Sequence, residues 1–164
     1  MKVVVGIDPG TASCGYGIVH ESEGRLRALG HGSWTTPARE RTERRLKVIY
    51  EGVAALIEEY RPAAVVLEES FVGADARIAL SVGQARGAVL VACAVADVDC
   101  AEYPPATVKQ AVCGYGRAEK AQVERMVRAI LGTRDAMSNH ASDALAVAIC
   151  HALASPLLKM KVSA

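Results

Sequence analysis

The sequence predicts an α/β domain, from three observations. Two short apolar runs, Val3-Val4-Val5-Gly6-Ile7 and Ala63-Ala64-Val65-Val66-Leu67, each end in acid, at Asp8 and at Glu68-Glu69. Runs of this kind read as strands buried on both faces. Between them, apolar residues at Leu46, Ile49, Val53, Leu56, Ile57 and Tyr60 fall at helical spacing, and a long helix between two strands favours a parallel crossover. The composition, 51% apolar but only 4% aromatic, suits helices packed on such a sheet. A chain of 164 residues makes one domain that buries about 70% of the surface its unfolded form exposes, and no second core is expected.

Strands are expected over 2–8, 14–20 and 25–34, the last two separated by the turn Ser22-Glu23-Gly24. Connections that short make the first three strands antiparallel neighbours. A helix over 39–60 ends at Arg61-Pro62, and the second acid-tipped strand spans 63–69. A second helix is expected over 75–96, a strand over 98–103, and a short helix opening at Pro104-Pro105 and closing before Gly114. The clearest helix is 119–131, where Val123, Met126, Val127, Ile130 and Leu131 form one stripe and Gly132 stops it. A last helix, capped by Ser138 or Asn139, turns Ala141, Ala144, Leu145, Ala148 and Ile149 inward. Only 159–164 reads as a loose tail.

A net charge of +1 excludes a polycation, so affinity for nucleic acid has to come from a local basic face. The five cysteines form no CxxC pair, and their odd number fits a reducing cytoplasm and small buried side chains. No signal-peptide pattern opens the chain, and the longest apolar stretch, 87–96, is short of a membrane span, so no membrane association is expected.

Candidate chemistry lies with the acids. Buried anions cost several kcal/mol each unless something positive compensates them. Asp8 and Glu68 or Glu69 sit at carboxyl ends of neighbouring strands, the edge where ligands of open α/β sheets gather. His140 and Asp143, three apart on the last helix, share a face that can point at that edge. Three oxygens and one imidazole suit Mg²⁺ or Mn²⁺ better than zinc. Adjacent strand residues point to opposite faces, so only one of Glu68 and Glu69 serves, and periodicity does not choose.

The chain resembles the RuvC-type Holliday junction resolvases of the RNase H-like superfamily. The likeness runs in order through Gly6-Ile7-Asp8-Pro9-Gly10 with Gly15-Tyr16-Gly17, Leu67-Glu68-Glu69-Ser70-Phe71, Gly83-Gln84-Ala85-Arg86-Gly87, Val108-Lys109-Gln110, Ala118-Glu119-Lys120 and His140-Ala141-Ser142-Asp143-Ala144-Leu145-Ala146. It implies a five-stranded mixed sheet, antiparallel then parallel, with helices on both faces, in a single domain over 1–158. It also implies a cytoplasmic homodimer that cuts two opposed strands of four-way junction DNA alongside a branch-migration helicase complex.

By the same resemblance the catalytic glutamate is Glu68, and Asp8, Glu68, His140 and Asp143 hold two divalent ions per subunit, Mg²⁺ or Mn²⁺. Many relatives have an aspartate at the fourth place; His140 lowers the negative charge and adds a borderline nitrogen ligand, so Mn²⁺ is expected to support cleavage better. Lys109 and Lys120 match lysines that lie near the scissile phosphate. Phe71, the chain's one phenylalanine, matches a ring that stacks on an unpaired base. A symmetric subunit contact is expected near Gly83 and Gly87, which otherwise weaken their helix by about 1 kcal/mol each. Arg39, Arg41, Arg44, Arg45 and Lys47 read as a solvated helix face interleaved with Glu40 and Glu43.

Two other functions compete. Gly6-Ile7-Asp8-Pro9-Gly10-Thr11 also resembles the first phosphate loop of ATP-binding proteins of the actin and sugar-kinase type, but those use two domains and a second glycine-rich motif. A relative that binds DNA without cutting would have lost an acid, and this chain keeps all three.

Overall fold

The structure is a computed structural model that describes residues 2–69 and 75–155. Phe71 and the tail expected over 159–164 lie outside the described residues. Strand β1 (Lys2–Asp8) pairs antiparallel with β2 (Ser13–Ser22), which pairs antiparallel with β3 (Arg25–Thr35). After α1 (Thr42–Tyr60) the chain crosses back into β4 (Ala64–Glu68), parallel to β1, and after α2 (Ala76–Val95) into β5 (Cys100–Tyr103), parallel to β4. The sheet order is β3-β2-β1-β4-β5. Helices α3 (Pro105–Cys113), α4 (Lys120–Leu131) and α5 (Asn139–Leu153) complete the described fold.

Because β1 and β4 are apolar on both sides, the sheet buries both faces and two apolar clusters form where the sequence suggested one core. On one side Ile49 and Val53 of α1 and Ala85 and Val89 of α2 meet Val5, Ile7, Val65 and Leu67. On the other, Val108, Val123, Val127, Leu145 and Ile149 from α3, α4 and α5 meet Val4, Val19 and Val66. α5 is buried on almost every side, from Ala144 through His151. It lies against β1 and β2 so closely that a Cβ at Gly6 would overlap the Ala144 carbonyl and one at Gly15 the His140 carbonyl. Glycine at these two positions sets the depth of the helix that carries His140 and Asp143.

Element ends differ from expectation by a few residues, with local causes. α1 starts at Thr42 because Glu40 N–H bonds the Pro37 carbonyl in a turn and Arg41 is extended. β5 starts at Cys100 because Asp97 takes a left-handed turn (φ 54°) and Val98 N–H returns to the Cys93 carbonyl. Asp75 caps α2, accepting from the backbone of Arg77 and Ile78, and Ser138 caps α5, accepting from Ala141 N–H at 3.1 Å. α2 is, against the sequence reading, long and apolar enough to cross a membrane by length and composition. Its Ala85, Val89, Ala92 and Cys93 pack in the core instead, and Arg86 pairs with Glu102.

Candidate active site

Parallel pairing of β1 and β4, with Ile7 opposite Leu67, puts Asp8 and Glu68 side by side at the carboxyl edge. Pro9-Gly10 ends β1 there, and Glu69 N–H bonds the Tyr103 carbonyl, which holds the end of β4 against β5. α5 starts over the same edge. His140 Nδ1 lies 2.6 Å from Asp8 Oδ2, and Asp143, one turn on, accepts from Lys120 Nζ at 2.7 Å. Lys120 opens α4 and Lys109 lies mid-way along α3, so two helices bring cations to an edge where two strands and α5 bring acids.

The electrostatics show one crowded anionic field. Burial first, and then the neighbouring Asp143 and Asp8, push the Glu68 carboxyl up to about 7 against the opposing pull of Lys109 and Lys120. Burial also raises Asp8, where the bond from His140 counteracts it and Asp143 adds to it. The bond to Asp143 raises Lys120 in turn. Asp143 therefore acts on both Asp8 and Glu68 although the three are far apart in sequence, Lys120 opposes it at both, and Lys109 opposes it at Glu68.

The donors do not yet form a ligand sphere: among the described residues no three His, Cys, Asp or Glu side chains converge on an ion-sized point. Instead the side chains close in pairs, His140 onto Asp8 and the largely exposed Lys120 onto Asp143. The donor set itself fits a hard divalent cation, being rich in carboxylate oxygen, and burial together with the neighbouring acids raises Glu68 to about 7. A cation held at this edge would offset the repulsion among these acids and compete with Lys120 for Asp143.

Contacts behind the site had escaped the sequence reading. Thr11, buried in the loop after Asp8, pairs its hydroxyl with Ser81 of α2 and accepts at its carbonyl from Thr36, whose hydroxyl takes Arg45 Nε at 2.9 Å. Arg45 thus leaves the solvated face assigned to it and braces the loop, whereas Arg44 and Lys47 make the expected i,i+4 pairs with Glu40 and Glu51. Arg86, part of a recognised motif but given no role, ties α2 to Glu102 of β5, one residue before the Tyr103 that faces Glu68. A polar side chain within an apolar helix pattern was the only signal for Arg86, and Arg45, set in a charged run, carried none.

A five-stranded sheet in this order, helices on both faces and three acids at its shared carboxyl edge define a nuclease-type domain of the RNase H-like class. The comparisons then narrow the class to one family. Residues 4–151 match the family described as crossover junction endodeoxyribonuclease RuvC, and the chain belongs to that family. It is 49% identical over 152 residues to the RuvC of Rubrobacter xylanophilus, covering 92% of this chain and 85% of the relative. With the RuvC of Moorella thermoacetica it shares 48% over 155 residues, 94% and 93% of the two chains. The Thermus thermophilus RuvC structure superposes with a TM-score of 0.87 at 40% identity, over 96% of this chain and 97% of that one. T. thermophilus RuvC in complex with Holliday junction substrate superposes at 0.89 with 38% identity, over 98% and 97%. The actin and sugar-kinase alternative is not favoured, because the family match takes in the phosphate-loop-like segment and the acids together.

Proposed function

We propose that this protein is a metal-dependent, structure-selective endonuclease that resolves four-way DNA junctions by hydrolysing phosphodiesters in two opposed strands, in recombination and repair. The observation that carries this reading is the meeting of Asp8, Glu68 and Asp143 at one sheet edge, where Asp143 raises both of the others, in a chain matching the RuvC family over 4–151. Asp8, Glu68, Asp143 and His140 are the groups to hold divalent ions, Mg²⁺ or Mn²⁺, two per subunit. Held there, such ions would supply Lewis-acid polarisation of the scissile phosphate and a lowered pKa for the attacking water.

The chain's own groups do the rest. His140 orients the Asp8 carboxylate through its 2.6 Å contact and counteracts the rise that burial imposes on its pKa. Lys120 moves from Asp143 to a backbone phosphate, and Lys109 holds the same strand from α3. Glu68 loses its proton as pH rises through neutrality, so cutting strengthens with pH. Phe71 stacks on a base unpaired at the crossover. The His140 nitrogen favours Mn²⁺ over Mg²⁺.

Two opposed incisions need two such edges, and α2 offers the surface that pairs them. Leu80, Gly83, Gly87, Val91 and Val95 follow one another at three- or four-residue spacing. The three large ones are 65%, 54% and 70% exposed, and nothing lies within 4 Å of a Cβ at either glycine. A second copy's α2 laid on this stripe gives a C₂ dimer whose backbones approach closely at the glycines. The proposed setting is the cytoplasm, next to a branch-migration helicase complex.

One gel assay tests the function. A mobile four-way junction, a linear duplex and an RNA·DNA hybrid are compared with Mn²⁺ and with Mg²⁺. Paired nicks in opposed strands of the junction alone are expected; equal cutting of the duplex or hybrid removes the proposal.

A further inference from the structure

A groove lies away from the acids. About 1250 Å³ in volume, it runs between β3 from Gly24 to His31 and the end of α4 with its following loop, Ala129 to Asp135, and Leu153 of α5 closes it. The level of Asp8 corresponds to Gly15 and, across the sheet, to Ser33. At ~3.3 Å per residue the groove therefore spans roughly 7 to 26 Å down the strand from the catalytic edge.

Its wall is an open sheet edge. β3 is the terminal strand, paired with β2 alone, and among the described residues no backbone hydrogen bond reaches its outer side. A free strand edge is a template for another strand. Leu29, the extra residue at the irregularity opposite Ile18 and Val19, is 47% exposed, and Leu153 is 54% exposed. Around this apolar floor Arg25, Arg27 and Arg134 are exposed and make no ion pair among the described residues, against Asp135 in the lining and Glu23 in the hollow that adjoins Arg25 and Arg27.

We propose that this groove docks an extended, acidic segment of a partner protein, which joins the free edge of β3 as a further strand. Charge selects among the occupants. A second copy pairing edge to edge sets the same arginines against one another. The chain's own last residues carry Lys159 and Lys161 and so have the wrong sign. A DNA backbone has the right sign, but it has no use for a row of alternating strand amides and carbonyls or for Leu29 and Leu153. Arginines beside an edge deter neutral and basic strands and admit acidic ones, so they set specificity as well as attraction.

The probe is a fluorescein-labelled heptapeptide of alternating valine and glutamate, titrated with the full-length protein and read by fluorescence anisotropy. Saturable binding is expected, at least about tenfold weaker for the peptide with lysine in place of glutamate. N-methylation of alternate amides on one side of the peptide abolishes binding and on the other side leaves it. Combined Arg27→Glu and Arg134→Glu lowers affinity at least about tenfold, while Arg27→Lys with Arg134→Lys keeps most of it and both retain wild-type circular dichroism. No saturable signal up to about 1 mM, or equal affinity for acidic and basic peptides, overturns the proposal. Two further outcomes also overturn it: an equal loss of four-way-junction binding in the charge-reversed variant assigns the groove to DNA, and a change of oligomeric state assigns it to a second copy.

Discussion

Replacing Glu68 by glutamine removes a charge that the folded chain resists, and the consequence for stability can be worked out. The Glu68 carboxyl rises from 4.5 to about 7 on folding, chiefly through burial. Each pKa unit corresponds to about 1.4 kcal/mol, so complete burial would give about 3.4 kcal/mol. The side chain keeps part of its surface in water, and screening reduces this to about 1–2 kcal/mol. Because the folded value lies above the unfolded one, the folded protein holds the proton more tightly. The associated stability is present below pH 4.5 and is lost as pH climbs through about 7. In EDTA, wild-type stability should therefore decline across that window while Glu68→Gln declines less. At about pH 8 the variant should be about 1–2 kcal/mol more stable by urea unfolding, or about 2–4 °C in Tm for each kcal/mol, and the gap should close toward pH 4.5. A variant less stable than wild type at the alkaline end, or a gap independent of pH, refutes the reasoning.

Three other outcomes follow from the same geometry. Asp8→Asn should keep junction affinity within about threefold in mobility shifts and lose about 10³-fold or more in single-turnover cleavage; retained cleavage removes the assigned role. Gly6→Val should cost about 1–3 kcal/mol in urea unfolding because its side chain enters the Ala144 carbonyl, and an unchanged midpoint contradicts the close packing of α5. Val91→Glu should leave a monomer in sedimentation and cut one strand without its opposite, whereas an intact dimer moves the contact away from α2.

The sheet was legible because its information is local. Val3 to Ile7 and Ala63 to Leu67 are apolar at every position, which marks strands buried on both faces, and the α1 stripe between them requires a crossover. The edge where Asp8 and Glu68 meet follows from that crossover alone. Choosing Glu68 over Glu69 did not follow, since alternation fixes opposite faces without saying which face holds the site. Arg86 and Arg45 were illegible for a related reason: their partners, Glu102 and Thr36, are set by where α2 and α1 land on the sheet. The bare stripe of α2 was hidden because that helix is apolar all round, and its sequence cannot separate a face against the sheet from one facing outward. The closure of Lys120 onto Asp143 depends on side-chain rotamers, which a spacing pattern does not carry.

The account stands on Asp8, Glu68 and Asp143 forming one cation-binding edge, and the most direct measurement is anomalous diffraction from crystals grown with Mn²⁺ and an uncleaved four-way junction. Manganese peaks between these three carboxylates, with Lys120 drawn off Asp143 toward a phosphate, are the predicted result. No peak at that edge, with the Lys120–Asp143 pair still closed over the bound junction, contradicts it.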